Sequence, residues 1–256
     1  MIFLRTIVAF LLFSNFLFSQ ESKIKTEEAQ PETILFIGNS YLYYGDSLHN
    51  HFRRMVEEYF SGYDSSSVKS ATIGGSRLKH HNVERLIKPK AISSIEKFDL
   101  VILQGGSGET LTVDSRKEFS YFVKKHVQTI RENNSQAALY MTHAYVKPHK
   151  KFTENQIKTI AETYTKVGIE NQALVIPVGL AFDLAYQKQP SIRLHKFDGS
   201  HPSLLGTYLA ACTVFSSIYG ESPIGLKYDY FGTINEKDKM FLQEIAEKAT
   251  SMFFNK

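Results

Sequence analysis

The sequence holds a single cysteine, Cys212, in 256 residues. One thiol excludes an internal disulfide and a multi-thiolate metal centre. Its place in the largely apolar run 209–215 points to a buried, inert side chain. Also missing is a basic run interleaved with aromatics: the net charge of +4 is spread along the chain, with lysines mixed among glutamates. Nucleic acid is therefore not an expected partner. No Pro- or Gly-rich linker and no internal repeat divides the sequence, so residues 32–256 are expected to form one domain. A chain of this length buries most of its apolar surface and needs neither disulfide nor metal to fold.

The N-terminus carries an address. Arg5 precedes a mostly apolar stretch from Ile7 to Phe18, followed by Ser19-Gln20-Glu21. A charged start, a short apolar region and small or polar residues before a hydrophilic segment read as a signal peptide over residues 1–20. The alternative is an uncleaved N-terminal anchor. No cysteine lies near the cleavage point, which excludes lipid attachment there. The mature protein is expected to be secreted or periplasmic, with no stable membrane insertion after cleavage. Residues 21–31 are polar and without periodicity, a flexible leader.

Beyond Pro31, short apolar or β-branched segments alternate with longer amphipathic ones. Strands are expected over 33–37, 68–73, 99–103, 137–142 and 173–178, most of them buried on both faces. Helices are expected over 47–60, 114–131, 153–167 and 203–219. In the second of these, Phe119, Phe122, Val123, Val127 and Ile130 share one face. Such alternation predicts an α/β fold: a three-layer αβα sandwich around a five-stranded parallel, flavodoxin-like sheet.

Ligands bind at the carboxyl ends of the strands in such sheets. The strand ends here read Gly38-Asn39-Ser40, Gly74-Gly75-Ser76, Gln104-Gly105-Gly106-Ser107 and His143-Ala144-Tyr145. Glycines at three successive ends suit a floor where backbone amides approach a ligand. Acyl transfer needs a nucleophile, a base, a group orienting the base, and amide donors for the oxyanion. Ser40 follows the first strand. Near the C-terminus, Asp198-Gly199-Ser200-His201-Pro202 lets one short turn supply a carboxylate and an imidazole. The Gly-x-Ser-x-Gly elbow of α/β-hydrolases is absent, because Tyr41-Leu42 follows Ser40.

Gly38-Asn39-Ser40 at the first strand end, with Asp198-Gly199-Ser200-His201-Pro202 before the last expected helix, resembles the SGNH (GDSL-like) hydrolase superfamily, in its exported bacterial esterase form. The resemblance runs from Thr33 to that helix, with the motifs in the family's order. It implies Ser40 as nucleophile, His201 as general base and Asp198 as its orienter. It also implies an oxyanion hole from the amides of Ser40 and Gly75, with Gly74 the other possibility. A third donor is usually an asparagine side chain after the third strand. The asparagine is missing here; Gln104 offers the same amide on a longer arm, and Ser107 or a backbone amide are alternatives.

The remaining polar residues near the strand ends are less specific. His80, His81 and His143 show no regular ligand spacing, so no metal is expected. Tyr41, His81 and His143 are candidates for the substrate side, while Tyr41, Tyr43 and Tyr44 suit either a sugar-stacking wall or core packing. The expected activity is that of a serine esterase without a cofactor, acting on a small ester or acylated glycan such as an O-acetylated carbohydrate. Alternatives are a non-catalytic glycan-binding protein on the same fold and an O-acyltransferase.

Overall fold

Why the strand segments stack into one sheet is visible in their composition: four of the five are apolar almost throughout, so each can be covered on both faces. The computed structural model describes residues 30–255. The expected signal peptide and all but the last two leader residues lie outside the described residues. Of those two, Pro31 is buried, and its carbonyl accepts a hydrogen bond from the Tyr219 hydroxyl at 3.2 Å. The chain is thus already fixed before residue 32.

The strands are β1 (Ile34–Gly38), β2 (Val68–Thr72), β3 (Leu100–Gln104), β4 (Gln136–Tyr140) and β5 (Leu174–Ile176). All neighbours pair in parallel in the order β2-β1-β3-β4-β5, the flavodoxin-like order. Eight α-helices lie among the described residues: α1 (Ser40–Tyr43), α2 (Leu48–Tyr59), α3 (Val83–Leu86), α4 (Val113–Glu132), α5 (Gln156–Glu170), α6 (Val178–Lys188), α7 (Leu204–Tyr219) and α8 (Glu236–Phe254).

The period of two along each strand divides the core. Ile34, Phe36, Leu100, Ile102, Ala138 and Tyr140 face α2, α6, α7 and α8. Leu35, Ile37, Val101, Leu103, Ala137 and Leu139 face α3, α4 and α5. Three layers result. Side-chain caps start the longer helices where the sequence offers Thr, Ser or Asn: Thr112 accepts from the Ser115 amide at 3.1 Å, Ser203 from Gly206 at 3.2 Å, and Asn235 from Asp238 at 2.9 Å.

The structure differs from expectation in several places. Edge strand β2 is only half-buried beyond Val68, since no strand among the described residues pairs with its outer side. β5 stops at Ile176, and the residues after Pro177 enter α6. Helix α7 is buried nearly all round, because α2, α6 and α8 pack about it, so its run of apolar and small residues is a core helix without a wet face. Neither α6 nor α8 is among the helices expected from periodicity. No helix among the described residues is long and apolar enough to cross a membrane.

Candidate active site

At the end of β1 the chain turns directly into α1, which sets Ser40 at the carboxyl edge of the sheet. Asn39 makes that turn rigid. Its side-chain oxygen accepts from the Tyr41 amide at 3.0 Å, while its amide group donates to the Ser76 carbonyl at 3.0 Å and the Gly105 carbonyl at 3.4 Å. One side chain therefore ties together the ends of β1, β2 and β3. The Ser40 hydroxyl donates to His201 Nε2 at 3.0 Å, and His201 Nδ1 donates to Asp198 Oδ2 at 2.5 Å. An ionised carboxylate only accepts, so the ring proton sits on Nδ1 and Nε2 is left as the base.

Asp198 holds its own turn as well: Oδ1 accepts from the amides of Ser200 at 2.8 Å and His201 at 2.9 Å. Burial alone would raise its pKa, but the His201 ring and these two amides outweigh that and hold the carboxyl down at about 2. The His201 and Asp198 side chains stay 26 % and 45 % exposed, so water and a substrate can reach the base.

The loop is braced from below. His143 donates from Nε2 to the Ser200 carbonyl at 2.8 Å, and the Tyr41 hydroxyl bonds to Ser200 Oγ at 3.0 Å. Gly199 accepts from the Val146 amide at 2.9 Å and adopts φ +68°; a Cβ there would lie 2.1 Å from the Val146 carbonyl oxygen, so only glycine fits. The Tyr44 ring stacks on His201 with centroids 4.0 Å apart, and Lys196 Nζ lies 4.9 Å from the Tyr44 centroid.

No family model matches the chain. No curated protein matches it in sequence. Solved structures do match in shape. A DUF4886 family protein from Bacteroides uniformis aligns at 19 % identity and a TM-score of 0.64, covering 85 % of this chain and 93 % of the other. A protein from Slackia heliotrinireducens classed with the SGNH hydrolases aligns at 22 % identity and a TM-score of 0.53, covering 72 % and 97 %. An acetyl xylan esterase aligns at 18 % identity and a TM-score of 0.55, covering 73 % and 99 %. The chain has the SGNH hydrolase fold.

On an SGNH fold the second and third strand ends flank the nucleophile, and here they behave differently. The turn after β2 is fastened to the end of β1: the Ile73 amide and the Ser76 hydroxyl both donate to the Gly38 carbonyl, at 3.0 and 3.3 Å. Between them Gly75 adopts φ +68°, with nothing within 4 Å of a Cβ position, and Gly74 lies under the Tyr43 hydroxyl. Among the described residues, none gives the Gly74 or Gly75 amide an acceptor.

The turn after β3 overturns the expectation for Gln104. Its side chain is 1 % exposed; Oε1 accepts from the Asn39 amide at 2.8 Å and Nε2 donates to the Gly105 carbonyl. Both ends of the side chain thus bond within the turns, and it fixes the Gly38-Asn39-Ser40 turn. Ser107 stands at the same strand end, where its oxygen accepts from the Tyr145 hydroxyl at 2.9 Å and its side chain also meets the Tyr41 hydroxyl. Below it, the wholly buried Glu109 accepts from the Gly106 amide, and burial pushes its carboxyl up to about 7.

The three substrate-side candidates are also corrected. Tyr41, His81 and His143 are 2 %, 5 % and 2 % exposed, and each side chain bonds to a neighbouring residue beneath the strand ends. Tyr41 and Phe182 stack on His143, with centroids 4.2 and 4.4 Å away. Burial holds His143 well below the usual histidine range and His81 at about 4, so both stay neutral supports. His81 bonds the Ser76 hydroxyl at 2.8 Å, within the second turn. Periodicity could not foresee these roles, because strand-end polar residues read alike whether they face the ligand or the layer beneath. Asn39 left the better signal: an Asn directly before a short helix is a preferred N-cap.

Proposed function

We propose that the protein is an exported serine esterase that removes a small acyl group, such as an acetyl on a carbohydrate. The observation carrying this reading is the unbroken relay from Ser40 Oγ through His201 to Asp198, at 3.0 and 2.5 Å. Ser40 attacks the ester carbonyl as His201 Nε2 takes its proton. The oxyanion is met by the amides of Ser40 and the Gly74-Gly75 turn, with the Ser107 hydroxyl as third donor. Collapse breaks the bond to the alcohol, which leaves with the proton from His201. Water, deprotonated in turn by His201, then attacks the acyl-enzyme, and Ser40 recovers its proton as the acid leaves.

A binding protein that had lost catalysis would have no need to hold a depressed-pKa aspartate behind an aligned imidazole, and this favours hydrolysis over that reading. The acetyl xylan esterase among the similar structures supports the small acyl group. The test is turnover of p-nitrophenyl acetate by residues 21–256. It should vanish in Ser40→Ala with the melting temperature retained, and full activity in that variant would sink the mechanism. Export is tested by N-terminal sequencing of protein from the native envelope or medium: a start near Gln20 or Glu21 is expected, whereas Met1 in a membrane fraction would mean an anchor.

A further inference from the structure

A recess adjoins the acid–base loop. It encloses about 610 Å³ and is lined by Lys147, Arg193, Lys196 and Phe197, with Ser203 at its end. No carboxylate lines it. All three cationic residues are exposed and none is ion-paired among the described residues, whereas Lys79, Lys88, Lys90 and Lys97 each stand beside an acid. The two segments that build it, 146–152 and 192–197, contain no acidic residue, and the first adds Lys150 and Lys151. Lys147 Nζ also lies 5.7 Å from the Phe152 ring centroid, which occupies a ring face but leaves the charge unneutralised.

The recess is coupled to the catalytic residues. The Lys196 amide donates to the His201 carbonyl at 2.8 Å, and its ammonium lies over the same Tyr44 ring that stacks on His201. Phe197, next to Asp198, is 90 % exposed and offers an apolar face to a sugar ring. Unpaired like charges repel one another, and keeping three of them in one recess is understandable if a ligand anion neutralises them. Each exposed cation–anion contact is weak, but together they raise the local concentration of an anion and steer its approach.

We propose that this recess is a subsite for the anionic part of the ester substrate, a carboxylate or sulfate borne by the acylated sugar. The proposal rests on the esterase reading for its substrate but not for its binding. Binding is therefore read in Ser40→Ala protein by calorimetric titration with trigalacturonate, with xylotriose as the neutral control. The uronate should bind about tenfold or more tightly at low ionic strength, and that advantage should shrink as salt is added. Adding Lys147→Glu and Arg193→Glu should abolish it. A sulfated, uronate-free galactose oligosaccharide distinguishes the sources: equal binding assigns the site to negative charge in general, weaker binding to carboxylates. Equal affinity for charged and neutral sugars, no binding of the charged ones, or indifference to the charge reversal would each overturn the proposal. In the native protein, kcat/KM should favour acetylated oligogalacturonate over acetylated xylo-oligosaccharide. An active esterase without that preference overturns the subsite alone, while an inactive protein that still binds the uronate overturns the esterase reading alone.

Discussion

The acid–base loop at 198–201 and the strand-end turn at 104–109 each carry a carboxylate, and the fold moves the two in opposite directions. Asp198 is 45 % exposed, accepts three hydrogen bonds and is held at about 2. Glu109 has no exposed surface, and its Oε1 has no hydrogen-bond partner. Burial pushes it up to about 7, against the bonds from Gly106 and Leu78 and the charge of Arg77. Donor count and access to water decide the outcome for chemically similar groups. One region holds a charged carboxylate against an imidazole; the other keeps a carboxyl close to its neutral form as part of the packing.

Breaking the charged region should have the largest effect. His201→Ala is expected to lower kcat by about ten-thousandfold or more, because nothing else can take the Ser40 proton. Asp198→Asn should cost less, about a hundred- to ten-thousandfold, since the ring keeps its place but loses the partner that fixes its tautomer. Single-turnover assays with an activated ester check both. An Asp198→Asn enzyme as active as the native one would show that His143, Tyr44 and the backbone alone orient the base.

Gln104→Ala probes the buried region, and its expected signature is the reverse. Removing Oε1 leaves the Asn39 amide unsatisfied inside the protein, a cost of about 1–3 kcal/mol. At this chain length that lowers the melting temperature by several degrees. Turnover per folded molecule should fall by less than about tenfold, because no oxyanion donor has been lost. A drop of a hundredfold in kcat at unchanged stability would restore Gln104 to the oxyanion hole.

These regions also differ in how far the sequence discloses them. Strand runs such as Ile34–Gly38 and Leu100–Gln104 are legible because a strand covered on both faces must be apolar throughout. Ser40, Asp198 and His201 are legible because their spacing and order constrain what they can do. The role of Gln104 is not, because an amide at a strand end satisfies itself equally well towards a ligand or towards backbone, and only the 2.8 Å contact to Asn39 decides. The burial of Tyr41, His81 and His143 depends on α6 and α4 closing over them, which no local pattern encodes. Glu109 gave no signal at all: a glutamate between Gly108 and Thr110 reads as a surface turn until the fold encloses it.

The smallest effect, and the sharpest for the comparison, is the pH dependence of stability. The folded-state pKa of Glu109, about 7, lies above its ordinary value of 4.5, so the folded protein holds a proton that the unfolded chain releases. The stability linked to that proton is fully present below about 4.5 and is lost as pH rises through about 7. The shift sets an upper bound of about 3 kcal/mol on this contribution. Buried histidines held below their ordinary value, such as His81 and His195 at about 4, add stability as pH rises from 5 towards 7, and Glu109 should subtract a few degrees of melting temperature from that rise between pH 5 and 8. Asp198 has the opposite sign: its contribution is present above its ordinary value of 3.8 and is lost only as pH falls towards 2, outside that window. Glu109→Gln keeps an oxygen to accept from Gly106 and removes the titrating proton, so its melting temperature should rise more steeply than the native protein's from pH 5 to 8, with the acid limb left in place. The same pH profile in Glu109→Gln as in the native protein would mean that Glu109 is already ionised at pH 5, and that the two carboxylates are not moved apart by the fold.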